Sequence, residues 1–182
     1  MSVDPEMRDA LLAAVPSLRA FAISLSGQVD RADDLVQDTL LRALANIDRF
    51  ERGTNLNAWL FTILRNLFHS EFRKRRREVE DPDGSFAGRL QVQPEQGAHL
   101  DFEDFRDALS RLPADQREAL LLVGASGFSY EEAANICGCA VGTIKSRVNR
   151  ARSRLAALLA VDGAEDLGPD RAIRAALQTA AF

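Results

Sequence analysis

Residues 141–155, VGTIKSRVNRARSRL, carry five Lys or Arg and no acid, in a chain of 182 residues whose net charge is −4. At about 3.6 residues per helical turn, Val141, Ile144, Val148, Ala151 and Leu155 fall on one apolar stripe. Diametrically opposite lie Gly142, Ser146, Asn149 and Ser153, with Thr143, Lys145 and Arg150 on the shoulders. Small polar groups at the centre of such a face can approach base edges in a major groove. The flanking cations reach phosphates or guanine acceptors. A surface helix held by salt bridges interleaves Glu among its cations, and this one has none. The chemistry indicated is DNA recognition. Arg147 and Arg152 fall nearer the apolar stripe, where phosphates or acidic groups would meet them.

That helix needs a second one to hold it. Ser129 with Glu132 three residues on is a capping box that opens a helix over 130–137. Ala133 and Ala134 let another helix approach closely, and Gly138 makes the turn before Val141. A short helix, a glycine turn and a cationic helix form a helix-turn-helix. Upstream, Phe102, Phe105, Leu109 and Leu112 share a helical face, and Pro113 sits where a further helix begins.

A second cationic stretch, RNLFHSEFRKRRR (65–77), holds six basic groups and one acid. Helical spacing runs from about Ala58 to Arg76, with Leu60, Ile63, Leu64 and Leu67 on one side. Thr62, Arg65, Asn66, His69, Arg73 and Arg76 fall on the other. Earlier, residues 6–25 and 30–46 show helical spacing, the latter through Leu35, Val36, Leu40 and Leu44; 48–57 reads as a loop. Between the two cationic stretches, residues 78–107 hold nine acids and two bases. Two positive patches separated by an acidic stretch point to two contact surfaces for a polyanion.

The expected architecture is all-α: two small helical domains joined by a flexible linker. The expected boundaries are 1–77 for the first domain, 78–98 for a Pro- and Gly-containing linker, 99–160 for the helix-turn-helix domain and 161–182 for a C-terminal extension. Cys137 and Cys139 are too close along the chain for an unstrained disulfide. With His69 and His99 they supply too few ligands for zinc, so neither metal nor cofactor is expected. The cysteines read as small packing residues. No signal peptide or membrane-spanning apolar run stands out, which makes no membrane partner and a cytoplasmic location the expectation. A P-loop, a nucleophile motif and a metal cluster are all missing from the sequence, which argues against an enzyme.

YEEAANICGCAVGTIKSRVNRARSRL resembles the promoter-reading C-terminal domain of bacterial sigma factors of the extracytoplasmic-function (ECF) group. RADDLVQDTLLRAL and NAWLFTILRNLFHSEFRKRRR resemble that group's N-terminal domain. LLAAVPSLRAFAISLSG, RKRRREVEDPDGSFAGRL and LLLVGASGFSYEEAA are similar more narrowly to the EcfG type, the general-stress-response sigma factors of alphaproteobacteria. The resemblance implies a subunit that binds core RNA polymerase, reads two promoter elements and is silenced by an anti-sigma factor of the NepR type. It implies that Asp34, Gln37 and Asp38 contact core polymerase. For the −10 element it implies Thr54, Asn55 and Asn57 as readers of an extruded base, with Arg65, Asn66, His69 and Arg73 holding the backbone. For the −35 element it implies Lys145, Ser146, Asn149 and Arg150 as readers. Trp59 is either a core residue or a stacking one; Phe68 and Phe72 are expected in the core. Two other readings remain. A sigma-mimicking module would sequester an anti-sigma factor without reading DNA, and would carry a receiver domain. A one-component repressor would carry a ligand or dimerisation domain.

Overall fold

Asp4, Pro5 and Glu6 open the first helix as a cap, a preset φ and an acid at the positive helix end. The Asp4 carboxylate accepts from the Glu6 N–H at 3.2 Å. In the computed structural model, which describes residues 4–78 and 99–159, this helix α1 spans Pro5–Ser26. It stops at Gly27, whose φ of 71° is the left-handed conformation favoured by glycine. Helix α2 spans Val29–Ala45, a single 3₁₀ turn covers Ile47–Arg49, and α3 spans Leu56–Glu78. After the gap come α4 (His99–Ser110), α5 (Ala114–Leu120), a π-helical turn over Leu121–Ala125, α6 (Tyr130–Cys137) and α7 (Val141–Leu159). Among the described residues every regular element is helical, as expected.

The chain divides into two compact units, Met1–Phe86 and Ala87–Phe182. The expected linker beyond Glu78 and the tail 161–182 lie outside the described residues, as do the side chains of Arg76 and Phe102.

In the first unit α1, α2 and α3 pack around Leu18, Leu35, Leu60, Phe61 and Leu64, all essentially inaccessible. Phe21 meets Phe61 with ring centroids 5.0 Å apart. Each such side chain contributes about 1.5–3 kcal/mol by leaving water. Arg19 of α1 forks onto Asp33 of α2 at 2.6 and 3.2 Å, and that hydrogen bond is the main reason the guanidinium pKa is raised. Both groups are substantially exposed, so the fork orients two helices more than it stabilises them.

Helix α1 departs from the sequence expectation about membranes. By length and composition alone it is long and apolar enough to cross one, with a mean hydropathy of 1.3 over its most apolar window. Its stripe Leu11, Ala14, Leu18, Phe21, Ala22 and Leu25 is instead buried in this unit's core.

Three expected core residues also differ. Helix α2 is buried through Ala32, Leu35, Val36, Thr39 and Ala43; Leu40 is half-buried and Leu44 is 40% exposed. The stripe is centred on small residues, which places Leu44 well round the helix from it. Phe72 is 46% exposed, stacked on Phe68 with centroids 6.5 Å apart. Arg31, in the first turns of α2, lies over the Phe68 ring and against Glu71. Glu71 thus faces α2, whereas Phe72, one residue on and about 100° further round α3, stays exposed.

In the second unit α5, α6 and α7 enclose Leu120, Leu121, Leu122, Ile144, Val148 and Leu155. The π turn registers as Ser126 N–H donating to Leu121 O at 2.9 Å.

Candidate nucleic-acid and polymerase interfaces

Exposed on α2, opposite its buried stripe, Asp34 lies one helical turn before the adjacent Gln37 and Asp38. With Arg31 and Glu71 they line a polar groove of about 320 Å³ between α2 and α3. The three residues expected at a polymerase contact are thus brought together. Leu41, 56% exposed, extends the same face by one turn. Neither Arg31 nor Glu71 was expected there, although Glu71 is the lone acid in the cationic stretch 65–77. The Arg31 guanidinium sits 3.5 Å from the Glu71 carboxylate and 5.4 Å from the Phe68 centroid. It ties the wall of the groove to α3.

The loop between α2 and α3 is built from its own side chains. Thr54 Oγ1 donates to the Glu51 carbonyl at 2.7 Å, and the Thr54 N–H reaches the same oxygen at 3.2 Å. Gly53 takes φ 91°, a conformation side chains resist. Asn55 caps α3, its Oδ1 accepting from the Ala58 N–H at 3.2 Å. That cap starts the helix two residues earlier than expected and carries Asn57 from the loop into the first turn of α3. Thr54, Asn55 and Asn57 are all exposed. Trp59, half-buried, packs at a tilt of 43° against Phe50 with centroids 5.3 Å apart and so anchors the loop to α3. Along α3, Asn66 and Arg73 are exposed while Arg65 and His69 are half-buried, and the His69 ring meets Phe68 edge-on at 5.5 Å.

In the second unit the capping box forms as expected: Ser129 N–H donates to Glu132 Oε2 at 2.9 Å, and Glu132 N–H to Ser129 Oγ at 3.1 Å. Ala133 and Ala134 are buried at the crossing with α7. At the other end of α6, Gly138 takes φ 63°. Its N–H bonds to Asn135 O at 3.2 Å and the Cys139 N–H to Ala134 O at 3.0 Å, a Schellman turn. Both ends of α6 are therefore fixed, and with them the direction of α7.

Helix α7 buries Ile144, Val148, Ala151, Leu155 and Ala156. Val141, expected on that stripe, is half-buried in the first turn. Gly142, Lys145, Asn149, Arg150, Ser153 and Arg154 are exposed and Ser146 is half-buried. The expected reading face thus points away from the core. Arg147 does not share it: Nε sits 3.1 Å from Asp115 of α5, and Nη1 reaches Cys139 Sγ at 3.9 Å. Its acidic partner lies within the chain. Arg152 is half-buried, its Nε without a hydrogen-bond partner among the described residues. Burial lowers the pKa of Arg117, whose Nη1 donates to Ser110 O at 3.1 Å. Neither cysteine forms a disulfide; Cys137 is buried and Cys139 half-buried.

Two family models match these units: Sigma-70 region 2 over residues 11–78 and Sigma-70, region 4 over residues 102–155. The chain is 75% identical over 177 residues to the ECF RNA polymerase sigma factor EcfG of Rhodopseudomonas palustris, spanning 97% of this chain and 98% of that protein. The chain belongs to the ECF sigma factors of RNA polymerase. Among solved structures it is similar to the sigma factor RpoE of Bartonella quintana, solved in complex with the anti-sigma factor NepR. That match has a TM-score of 0.80 and 61% identity, covering 88% of this chain and all of the other. It is also similar to CnrH in complex with the cytosolic domain of CnrY, at a TM-score of 0.64 and 28% identity, covering 85% and 88%. In this sigma factor the groove on α2 belongs to the region 2 unit and the cationic helix α7 to the region 4 unit.

Proposed function

We propose that this sigma factor binds core RNA polymerase through the α2 groove and directs initiation at promoters read by its two cationic surfaces. Asp34, Gln37 and Asp38 meet the polymerase. Thr54, Asn55 and Asn57 take an extruded base of the −10 element, while Arg65, Asn66, His69 and Arg73 hold its backbone. Flipping that base costs a few kcal/mol, which base-edge contacts and stacking offset. Lys145, Ser146, Asn149 and Arg150 read the −35 element. One observation carries the reading: the exposed face of α7 presents small polar centres flanked by cations, with no acid between them.

The relative solved with NepR supports silencing by a small NepR-like anti-sigma factor. Resemblance to the EcfG type supports a role in the general stress response, in the cytoplasm where polymerase works. The polymerase contact is tested by competition for purified core enzyme. The double variant Gln37→Ala, Asp38→Lys removes an amide and places a cation where one carboxylate stood, and should need about tenfold more protein or above to compete. Equal competition by variant and wild type overturns the assignment of that surface.

A further inference from the structure

Lys145 carries a long, flexible side chain at the edge of the −35 reading face, and among the described residues it has no ion-pair partner. Its ammonium instead lies over the ring of Tyr130, 5.8 Å from the centroid. Tyr130 is the first residue of α6, directly after the N-cap Ser129, and is half-buried. The two hydrogen bonds between Ser129 and Glu132 fix the backbone turn from which that ring departs. Ile144, the residue before Lys145, is fully buried and fixes the point from which the lysine departs. Two fixed backbone positions thus set the distance between the ring and the lysine's flexible chain.

We infer that Tyr130 is a positioning residue for promoter reading: its ring holds the Lys145 ammonium at the seam between α6 and α7, facing the groove. This rests on the assignment of Lys145 as a −35 reader. A free lysine must give up rotamer freedom when it docks on a base edge. A cation held over an aromatic face has given up part of that freedom before DNA arrives. The attraction at a site open to water corresponds to about a two- to fivefold factor. That factor acts only where Lys145 acts.

Three variants of Tyr130 separate this from other roles, in run-off transcription by holoenzyme on a set of −35 point variants. Lys145→Ala first identifies which base pairs lose preference. Tyr130→Leu, which keeps apolar bulk and removes the ring, should lower preference about two- to fivefold at those same base pairs and leave the others unchanged. Tyr130→Phe keeps the ring face and should behave as wild type, and Tyr130→Trp should match or exceed it. The Phe and Trp variants carry the test if the Leu variant lowers the thermal midpoint.

An equal, sequence-independent loss in Tyr130→Phe and Tyr130→Leu overturns the inference, because the hydroxyl would then be touching a phosphate. Unchanged or sharpened preference in Tyr130→Leu overturns it as well, provided that Lys145→Ala relaxes it. If Lys145→Ala relaxes no position, the assignment of Lys145 fails and the inference fails with it.

Discussion

Replacing Ser129 by Ala removes one half of the capping box while leaving every apolar contact of α6 in place. The Glu132 N–H loses its acceptor at 3.1 Å, and Ser129 is exposed, so water takes over part of that bond. The expected cost is about 1 kcal/mol, within a range of about 0.5–2 for caps of this kind. In a helical unit of this size, 1 kcal/mol moves the thermal midpoint by about 4–8 °C. The chain supplies its own internal control. Its single Trp, Trp59, lies in the first unit, so its fluorescence follows that unit while far-UV ellipticity follows both. The variant should lower the midpoint of the ellipticity component and leave that of Trp59 unmoved. Ser129→Asp, which restores an acceptor, should recover most of the loss. A Trp59 midpoint that falls in step would show the two units melting as one. An Asp variant no better than Ala would show that the cap is not the cause.

Three further outcomes test other parts of the account. Arg150→Ala should relax preference at one or two −35 base pairs by about 1–3 kcal/mol, whereas Arg154→Ala should at most weaken all promoters evenly and lower the salt slope by about one. Transcription from −35 variants at two salt concentrations distinguishes them. A double-mutant cycle on Arg147→Ala and Asp115→Asn should give a coupling below about 1 kcal/mol, as expected for a pair 26% and 50% exposed, with −35 preference unchanged. A shift in preference would place Arg147 among the readers. Phe50→Ala should red-shift Trp59 emission by opening its covered face to water, and should weaken binding of holoenzyme to −10 fork DNA more than to −35 duplex. Equal weakening on both probes would detach the loop from the −10 element.

The sequence made the helix-turn-helix legible because its signals are local. A capping box, a glycine turn and a 3–4 spaced stripe each act within a few residues; the first two formed as expected, and the stripe did from Ile144 onward, with Val141 half-buried. The first unit was less transparent where burial depends on distant partners. Counting large apolar residues on α2 selects Leu40 and Leu44 and passes over Ala32, Thr39 and Ala43, which are completely buried. At about 100° per residue the true stripe is centred on these small positions, leaving Leu44 about 120° away. Thr39 tolerates that burial because its hydroxyl donates back to Leu35 O at 2.7 Å. Phe72 follows Phe68 at helical spacing, yet Phe68 is buried and Phe72 exposed, a difference that spacing alone does not reveal.

Side-chain pairings across long separations were equally invisible. Nothing local joins Arg31 to Glu71, Tyr130 to Lys145, or Arg147 to Asp115. Pro16 also lies inside α1, where it removes a backbone donor and would ordinarily interrupt the helix. It is on the exposed side, where water can satisfy the carbonyl that it frees.

Run-off transcription by purified core polymerase, with and without this protein, on a promoter library randomised at both elements decides whether it is a promoter-reading subunit. Transcripts are expected only with the protein present, from templates enriched for two short motifs at −10 and −35 spacing. Lys145→Ala and Arg150→Ala should blur the −35 motif alone. Binding to an anti-sigma factor with no enrichment of either motif would contradict it, leaving a sigma-like interaction module that does not read DNA.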